Sequence, residues 1–293
     1  MKKKLIIFVV AILVLSVMAF ALVACNRATT QGQLSNFLVD HAEEVFVYDV
    51  KNELTNETGT YTVNVKMHPA GDTINCPDAI ENVERGVFVE SVLEIGTTEY
   101  KTGCYFTIVS DTALMTPAYT YRVQKENGEE TFRMKGTYNG AALVYERVIN
   151  GVLAKGGIKL SGTYFDNNEF HQSLRTVTTF STSFNFSYVV PLVSPSEISA
   201  VTLTASCSKT AYVKTPFTET IDAENGVNCY NVRIARSTKV AGLDQSLYYA
   251  TEPLKAQNST FKLQNVLVKI YEPIANAEGT FYVVYSLKSA VIH

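Results

Sequence analysis

Apolar positions change their spacing along this chain, and each spacing predicts a different element. Leu5 to Ala24 is an uninterrupted uncharged run behind Lys2, Lys3 and Lys4, the arrangement of a basic segment followed by an apolar export core. Leu34, Phe37, Leu38, His41 and Val45 then recur at three- and four-residue spacing, which predicts one face of a short helix that Ser35 or Asn36 caps. Further on the period falls to two. Tyr61, Val63, Val65 and Met67 alternate with Thr62, Asn64, Lys66 and His68, the pattern of a half-buried strand.

Turn residues divide the rest of the chain. Asn127-Gly128, Asn139-Gly140, Asn150-Gly151 and Asn225-Gly226 are hairpin signals, because a type I′ turn needs positive φ at both central positions and these residues tolerate it. The spacing of the first three predicts a meander with strands near 118–126, 129–138, 141–149 and 152–164, after which Asp166, Asn167 and Asn168 turn the chain again. Gly156-Gly157 inside that meander predicts a bulge or bend. Leu174, Thr176, Phe180, Phe184, Phe186 and Tyr188 share one parity with no breaker before Pro191, and a strand of that length bends, so the sheet is expected to curve strongly.

Pro191 to Pro195 interrupts the pattern and marks the boundary between two β-rich halves, 34–190 and 196–293, which are free to pack as one domain. Strands are expected near 198–206, 227–236, 244–251, 260–271 and 279–288 in the second half. The fold class is therefore mainly β. It is read as one or more large curved antiparallel sheets built from hairpin meanders, half-barrel or sandwich-like, with a short N-terminal helix.

Composition sharpens this picture at few points. Setting aside Lys2, Lys3 and Lys4 with the export segment leaves 22 basic against 28 acidic side chains, a net charge of −6, which offers no general attraction to nucleic acid. After Cys25, the cysteines are Cys76, Cys104, Cys207 and Cys229; outside the cell these permit disulfides, with one bridge per half if sequence neighbours pair, and equally permit buried thiols. No CxxC or Cys/His cluster supports a metal site.

Candidate chemistry is sparse. There is no GxSxG elbow, and none of His41, His68 and His171 sits in a catalytic motif. His41 falls on the apolar stripe of the expected helix as a packing residue, and His68, before Pro69, is expected at a solvated strand end. Glu126, Glu129 and Glu130 about one turn, and Asp166 with Glu169 about another, read as solvated hairpin tips and match no calcium loop. No catalytic set, cofactor loop or metal set emerges, so an enzyme is not expected. What remains is 17 tyrosines and 15 phenylalanines without a tryptophan, much of it on alternating strand positions. These side chains either fill a core or line a cavity for an apolar ligand.

Leu22, Val23, Ala24 and Cys25 resemble the bacterial lipobox. The resemblance implies that residues 1–24 are a signal peptide cut after Ala24, that the Cys25 thiol carries a diacylglyceryl group, and that residues 25–33 tether an exported domain to the outer side of a membrane. The body, with its short helix, long antiparallel strands and the late segment Leu247-Tyr248-Tyr249-Ala250-Thr251-Glu252-Pro253, resembles the open half-barrel lipid carriers of bacterial envelopes, although their tryptophan is missing. That resemblance implies a non-enzymatic envelope lipoprotein that binds a hydrophobic or lipidic molecule in a curved sheet. The alternative is a structural or protein-interaction lipoprotein with a filled core and an envelope partner.

The anchor has a direct test. A Cys25→Ser precursor is expected to lose metabolic labelling by fatty acid and its acyl-dependent membrane retention; undiminished lipidation would remove the lipobox reading.

Overall fold

A computed structural model describes residues 42–76, 78–108, 116–140, 142–160, 162, 164–166, 169–176, 183–189, 198, 200–220, 226–236, 244–276 and 279–293. The expected signal peptide and tether, Cys25, most of the expected helix including His41, and the expected boundary at 191–195 lie outside the described residues. Val45, placed at the end of that helix by spacing, is instead within a strand.

The strands of the first half are β1 (Glu43–Asn52), β2 (Thr58–His68), β3 (Gly86–Ile95), β4 (Thr98–Thr107), β5 (Thr116–Glu126), β6 (Glu129–Tyr138), β7 (Ala142–Ile149), β8 (Val152–Lys159) and β9 (Tyr164–Asp166). A short helix α1 (Phe170–Ser173) and a 3-10 turn at Leu174–Thr176 come next. Then come β10 (Phe184–Val189), β11 (Ala200–Val213), helix α2 (Pro216–Thr220), β12 (Val227–Arg236), β13 (Gln245–Ala250), β14 (Leu254–Lys255), β15 (Lys262–Leu263), β16 (Leu267–Asn276) and β17 (Gly279–Ile292).

The β5–β6, β6–β7 and β7–β8 hairpins fall where the Asn-Gly pairs place them, whereas Gly226 is not in a two-residue hairpin turn, because α2 stands between β11 and β12. Asn127 and Gly128 have φ of 54° and 83°, and Asn150 and Gly151 have 47° and 81°, so both turns use the left-handed conformation that these residues adopt at low cost. β5 to β8 pair in sequence as an antiparallel meander. Gly156-Gly157 makes neither bulge nor bend, since β7 and β8 stay in register throughout. The glycine serves packing instead: a Cβ on Gly156 would lie 2.5 Å from the Tyr145 hydroxyl, so the tyrosine ring covers the space a side chain would need.

Among the described residues, fifteen strands form one sheet in the order β8-β7-β6-β5-β4-β3-β2-β1-β17-β16-β13-β12-β11-β10-β9, with β14 and β15 as a separate pair. β1 and β17 pair antiparallel, so the two halves read from sequence share one continuous ladder. Alternation along each strand sends one set of residues inward. Phe46, Tyr48 and Val50 of β1 face the same side as Tyr61, Val63 and Val65 of β2, and both sets are buried in the main core with Leu247, Tyr249 and Leu287.

The sheet curls until its last strand meets its own inner face. β9, the terminal strand of the order, lies against β5, while β6, β7 and β8 continue past the overlap. Among the described residues no ladder joins the sheet's ends, and the overlap is held by side chains. The Arg122 guanidinium on β5 donates to Asp166 Oδ1 on β9 at 2.6 Å, and the Tyr138 hydroxyl on β6 donates to Asp166 Oδ2. Arg122 is 3% and Asp166 0% exposed. Val189 and Ile198 pack beside this contact against Phe132, Met134, Tyr138 and Leu143. The architecture is an open spiral with barrel-like curvature.

The long single-parity run does not form one strand. Its beginning, Leu174 and Thr176, is the 3-10 turn inside the curl, and only residues 184–189 are extended among the described part. Tertiary burial of both polar and apolar faces overrides the alternation there.

Closure through a buried pair makes a sharp prediction. Arg122→Met leaves Asp166 buried without its cation and is expected to lower unfolding stability by roughly 3–5 kcal/mol. Adding Asp166→Leu should recover much of that loss in urea titrations, because the second change removes the uncompensated charge.

Candidate functional site

Among the described residues, the most polar part of the interior is formed by 164–166 and 169–176. Asp166, Glu169, His171, Gln172, Ser173 and Arg175 are all buried, although sequence places Asp166 and Glu169 at a solvated turn. The correction has a topological cause: the chain leaves the meander and passes inside the curl, where local polarity cannot keep it wet. Phe165, Phe170 and Leu174 alternate with the polar residues and join the main apolar core. An edge-to-face contact between Phe165 and Phe186 at 5.2 Å and a second ring contact between Phe170 and Phe186 tie the segment to β10.

Asp166, Glu169, His171 and Arg175 are each met by a strand residue on the inner face. Arg175 Nη1 donates to Glu44 Oε2 of β1 at 2.6 Å, and both side chains are at least nine-tenths buried. The same guanidinium donates to the Gln264 carbonyl at 2.8 Å and stands 4.8 Å over the Phe46 ring. Thr102 on β4 donates to Glu169 Oε1 and shares a 2.7 Å hydrogen bond with Ser91 on β3. His171 Nε2 lies 3.1 Å from Gln245 Oε1, and the Tyr249 hydroxyl of β13 donates to the His171 carbonyl at 2.7 Å. The aromatic segment Leu247 to Pro253 thus holds the internal segment with one of its tyrosines rather than presenting them all to a cavity.

Burial also fixes charge states. Desolvation, reinforced by the Asp166 carboxylate, pushes Glu169 up to about 8. Desolvation pulls His171 down to about 4 against the opposing hydrogen bond that its ring donates to Gln245 Oε1. At neutral pH the segment therefore presents a protonated acid and a neutral imidazole, both sealed inside. Burial alone would depress Arg122, but the Asp166 carboxylate and its hydrogen bond outweigh that and raise it, keeping the guanidinium charged.

The remaining sequence candidates scatter. Cys76, Cys104, Cys207 and Cys229 are free thiols, Cys104 and Cys229 buried and Cys76 and Cys207 half-buried. Cys104 lies in the main core, whereas Cys76 packs with the separate cluster of Ile74, Tyr105 and Tyr121. Cys207 stands opposite Val232 while Cys229 stands opposite Ala211, several positions along the ladder, farther than a disulfide spans. Glu126, Glu129 and Glu130 flank the β5–β6 turn as expected, with Glu130 accepting from Arg133 at 2.7 Å. His68 departs from expectation: it is 5% exposed, since the β2–β3 connection folds back across the outer face and covers it. Among the described residues no group of three or more His, Cys, Asp or Glu side chains is placed to hold a metal ion.

The buried acid and imidazole give opposing pH terms. His171 is neutral when folded and charges on unfolding, so its destabilising term is lost as pH rises from about 4 to 6.5. Glu169 holds a proton when folded that the unfolded chain releases near 4.5, so its term weakens the fold as pH rises from there to about 8. The two offset between about 4.5 and 6.5, and only the Glu169 term acts between about 6.5 and 8. Glu169→Gln should flatten the loss of stability over that upper window in denaturant titrations at stepped pH.

Comparison with known proteins agrees with the architecture. No protein-family model matches the chain, and no curated protein matches it. Among solved structures it is similar to a crystal structure described as a beta-barrel-like protein of domain of unknown function DUF1849 from Brucella abortus, with a TM-score of 0.51 and 11% identity. The match covers 87% of this chain and 99% of that one. At that identity the likeness is one of fold.

Proposed function

We propose that this chain is a non-enzymatic, membrane-anchored lipoprotein of the bacterial envelope whose curled sheet works as an interaction module. The observation that carries this reading is the internal segment Tyr164 to Thr176, which lies where a half-barrel carrier would hold its ligand. A lipid entering there would have to break the Arg122–Asp166 and Arg175–Glu44 pairs, each costing roughly 3–5 kcal/mol when one partner is removed. It would also have to displace Phe165, Phe170 and Leu174 from the core. The large aromatics Phe46, Tyr48, Phe106 and Tyr249 are already packed there, which favours the filled-core alternative over the carrier.

An interaction role is further supported at the opposite end of the sheet. β8 is the terminal strand beyond the overlap, and among the described residues nothing pairs with its outer edge. Val152 and Leu153 on it, and Val144 on β7, are all more than half exposed. Exposed apolar residues beside unpaired backbone groups are a template for pairing with a partner.

Native mass spectrometry on a soluble form beginning after Arg27, followed by organic extraction, tests the reading. The expected result is a clean unliganded mass and no uptake of a hydrophobic probe. Stoichiometric extractable lipid would overturn it in favour of the carrier.

A further inference from the structure

The turn before β8 fixes which of its main-chain groups are free. Asn150 and Gly151 form a two-residue turn with positive φ, and such a turn closes on a hydrogen-bonded pair, here Ile149 with Val152. Hydrogen-bonded and non-hydrogen-bonded pairs alternate along an antiparallel ladder, so the main-chain groups of Ala154, Gly156 and Ile158 point back to β7. Those of Leu153, Lys155, Gly157 and Lys159 point outward, and among the described residues no strand meets them.

Two glycines shape the side-chain surface along this edge. Gly157 stands opposite Val144, and a Cβ placed on it would meet only the Leu143 carbonyl within 4 Å, which leaves Val144 59% exposed. On the same face Lys155 stands beside Glu146 and pairs with it, with its methylene stem exposed. On the other face Gly156 stands opposite Tyr145, whose hydroxyl covers the glycine.

Charge then selects one way for a second β8 to pair with this one. Antiparallel pairing must set outward-pointing residues opposite each other. Centred on Lys155, it would oppose Lys155 to its own copy; centred on Gly157, it would oppose Lys155 to the partner's Lys159, and like charges directly opposite are destabilising. Centring on Ala154 or Ile158 shortens the ladder. Centred on Gly156, the pairing sets Lys155 opposite the partner's Gly157 and Leu153 opposite the partner's Lys159, so no like charges face each other. The Lys155 stem then covers the gap at the partner's Gly157 and the valine beyond it, and the two Tyr145 hydroxyl ends meet over glycines whose Cα atoms are about 4.5 Å apart.

We infer that the occupant of this edge is a second copy of the chain, in a symmetric dimer formed by antiparallel β8–β8 pairing centred on Gly156. The inference rests on the interaction reading and names its partner. Growth stops at two chains, because a symmetric contact uses each β8 edge once and β9, the other end of the sheet, lies inside the curl against β5.

Sedimentation velocity on the soluble form beginning after Arg27 tests this. One strand a side is less than the roughly 20–30 residues a side of a standard interface, so half-dimerisation is expected on the order of 100 µM in a series from about 10 to about 1,000 µM. Leu153→Glu puts a carboxylate opposite the partner's Lys159 at two symmetric positions and should tighten association about two- to thirtyfold, whereas Leu153→Lys should weaken it by a similar factor. Leu153 is mostly exposed, so neither change should move the thermal midpoint. Adding Lys159→Glu to Leu153→Lys should restore association, since it returns opposite charges to the facing positions. A monomer throughout the series would overturn the inference; if that monomer also carries no extractable lipid, the interaction role stands with a different partner. Equal effects of Glu and Lys at position 153, or no restoration by Lys159→Glu, would overturn it as well.

Discussion

The spiral depends on putting two opposite charges where water does not reach. Arg122 and Asp166 lie on strands that are far apart in the ladder order, and their contact, completed by Tyr138, is where the sheet overlaps itself. A buried pair of this kind adds little net stability over apolar packing. Its effect is on choice. If β9 came to rest one residue away, both charges would remain inside without compensation, so alternative closures are disfavoured far more than the observed one is favoured. Where hydrogen-bonded strand pairing would define a closed barrel by register, this chain defines its overlap by one ion pair.

Inside the curl the same low polarity acts on every group the internal segment carries. Glu169 keeps its proton and His171 loses its own because no water solvates the charged forms. Arg175 stays paired with Glu44 and is covered on one side by Phe46. Groups that in an open cleft would suggest acid–base chemistry are here part of the packing between the segment and the sheet wall. Exposed apolar side chains lie instead toward the β8 edge, at Val144, Val152 and Leu153.

Legibility followed the range of the forces involved. The meander from β5 to β8 was readable because Asn-Gly turns and two-residue alternation act over a few neighbouring residues, and the observed hairpins use the positive φ those residues allow. The inward residues Tyr61, Val63, Val65 and Met67 were readable for the same reason. Leu174 and Thr176 misled, since they form a 3-10 turn inside the curl and not part of a ladder. Asp166, Glu169 and His68 misled in the opposite sense: polar residues near turns are usually wet, and only a chain that later returns over them removes the water.

By itself, then, the sequence determined the β class, the hairpin positions of the β5–β8 meander and the strand faces, because each rests on local sterics, periodicity or short motifs. Tertiary structure alone decided that both halves share one sheet through β1 and β17, that residues 164–166 and 169–176 lie inside it, and that Cys76, Cys104, Cys207 and Cys229 are free thiols. Those outcomes depend on contacts between residues up to more than 200 positions distant, such as Tyr48 with the Leu267 carbonyl. No local pattern encodes such pairs. They arise when the whole sheet curls and every buried charge must find the one partner that lets it stay buried.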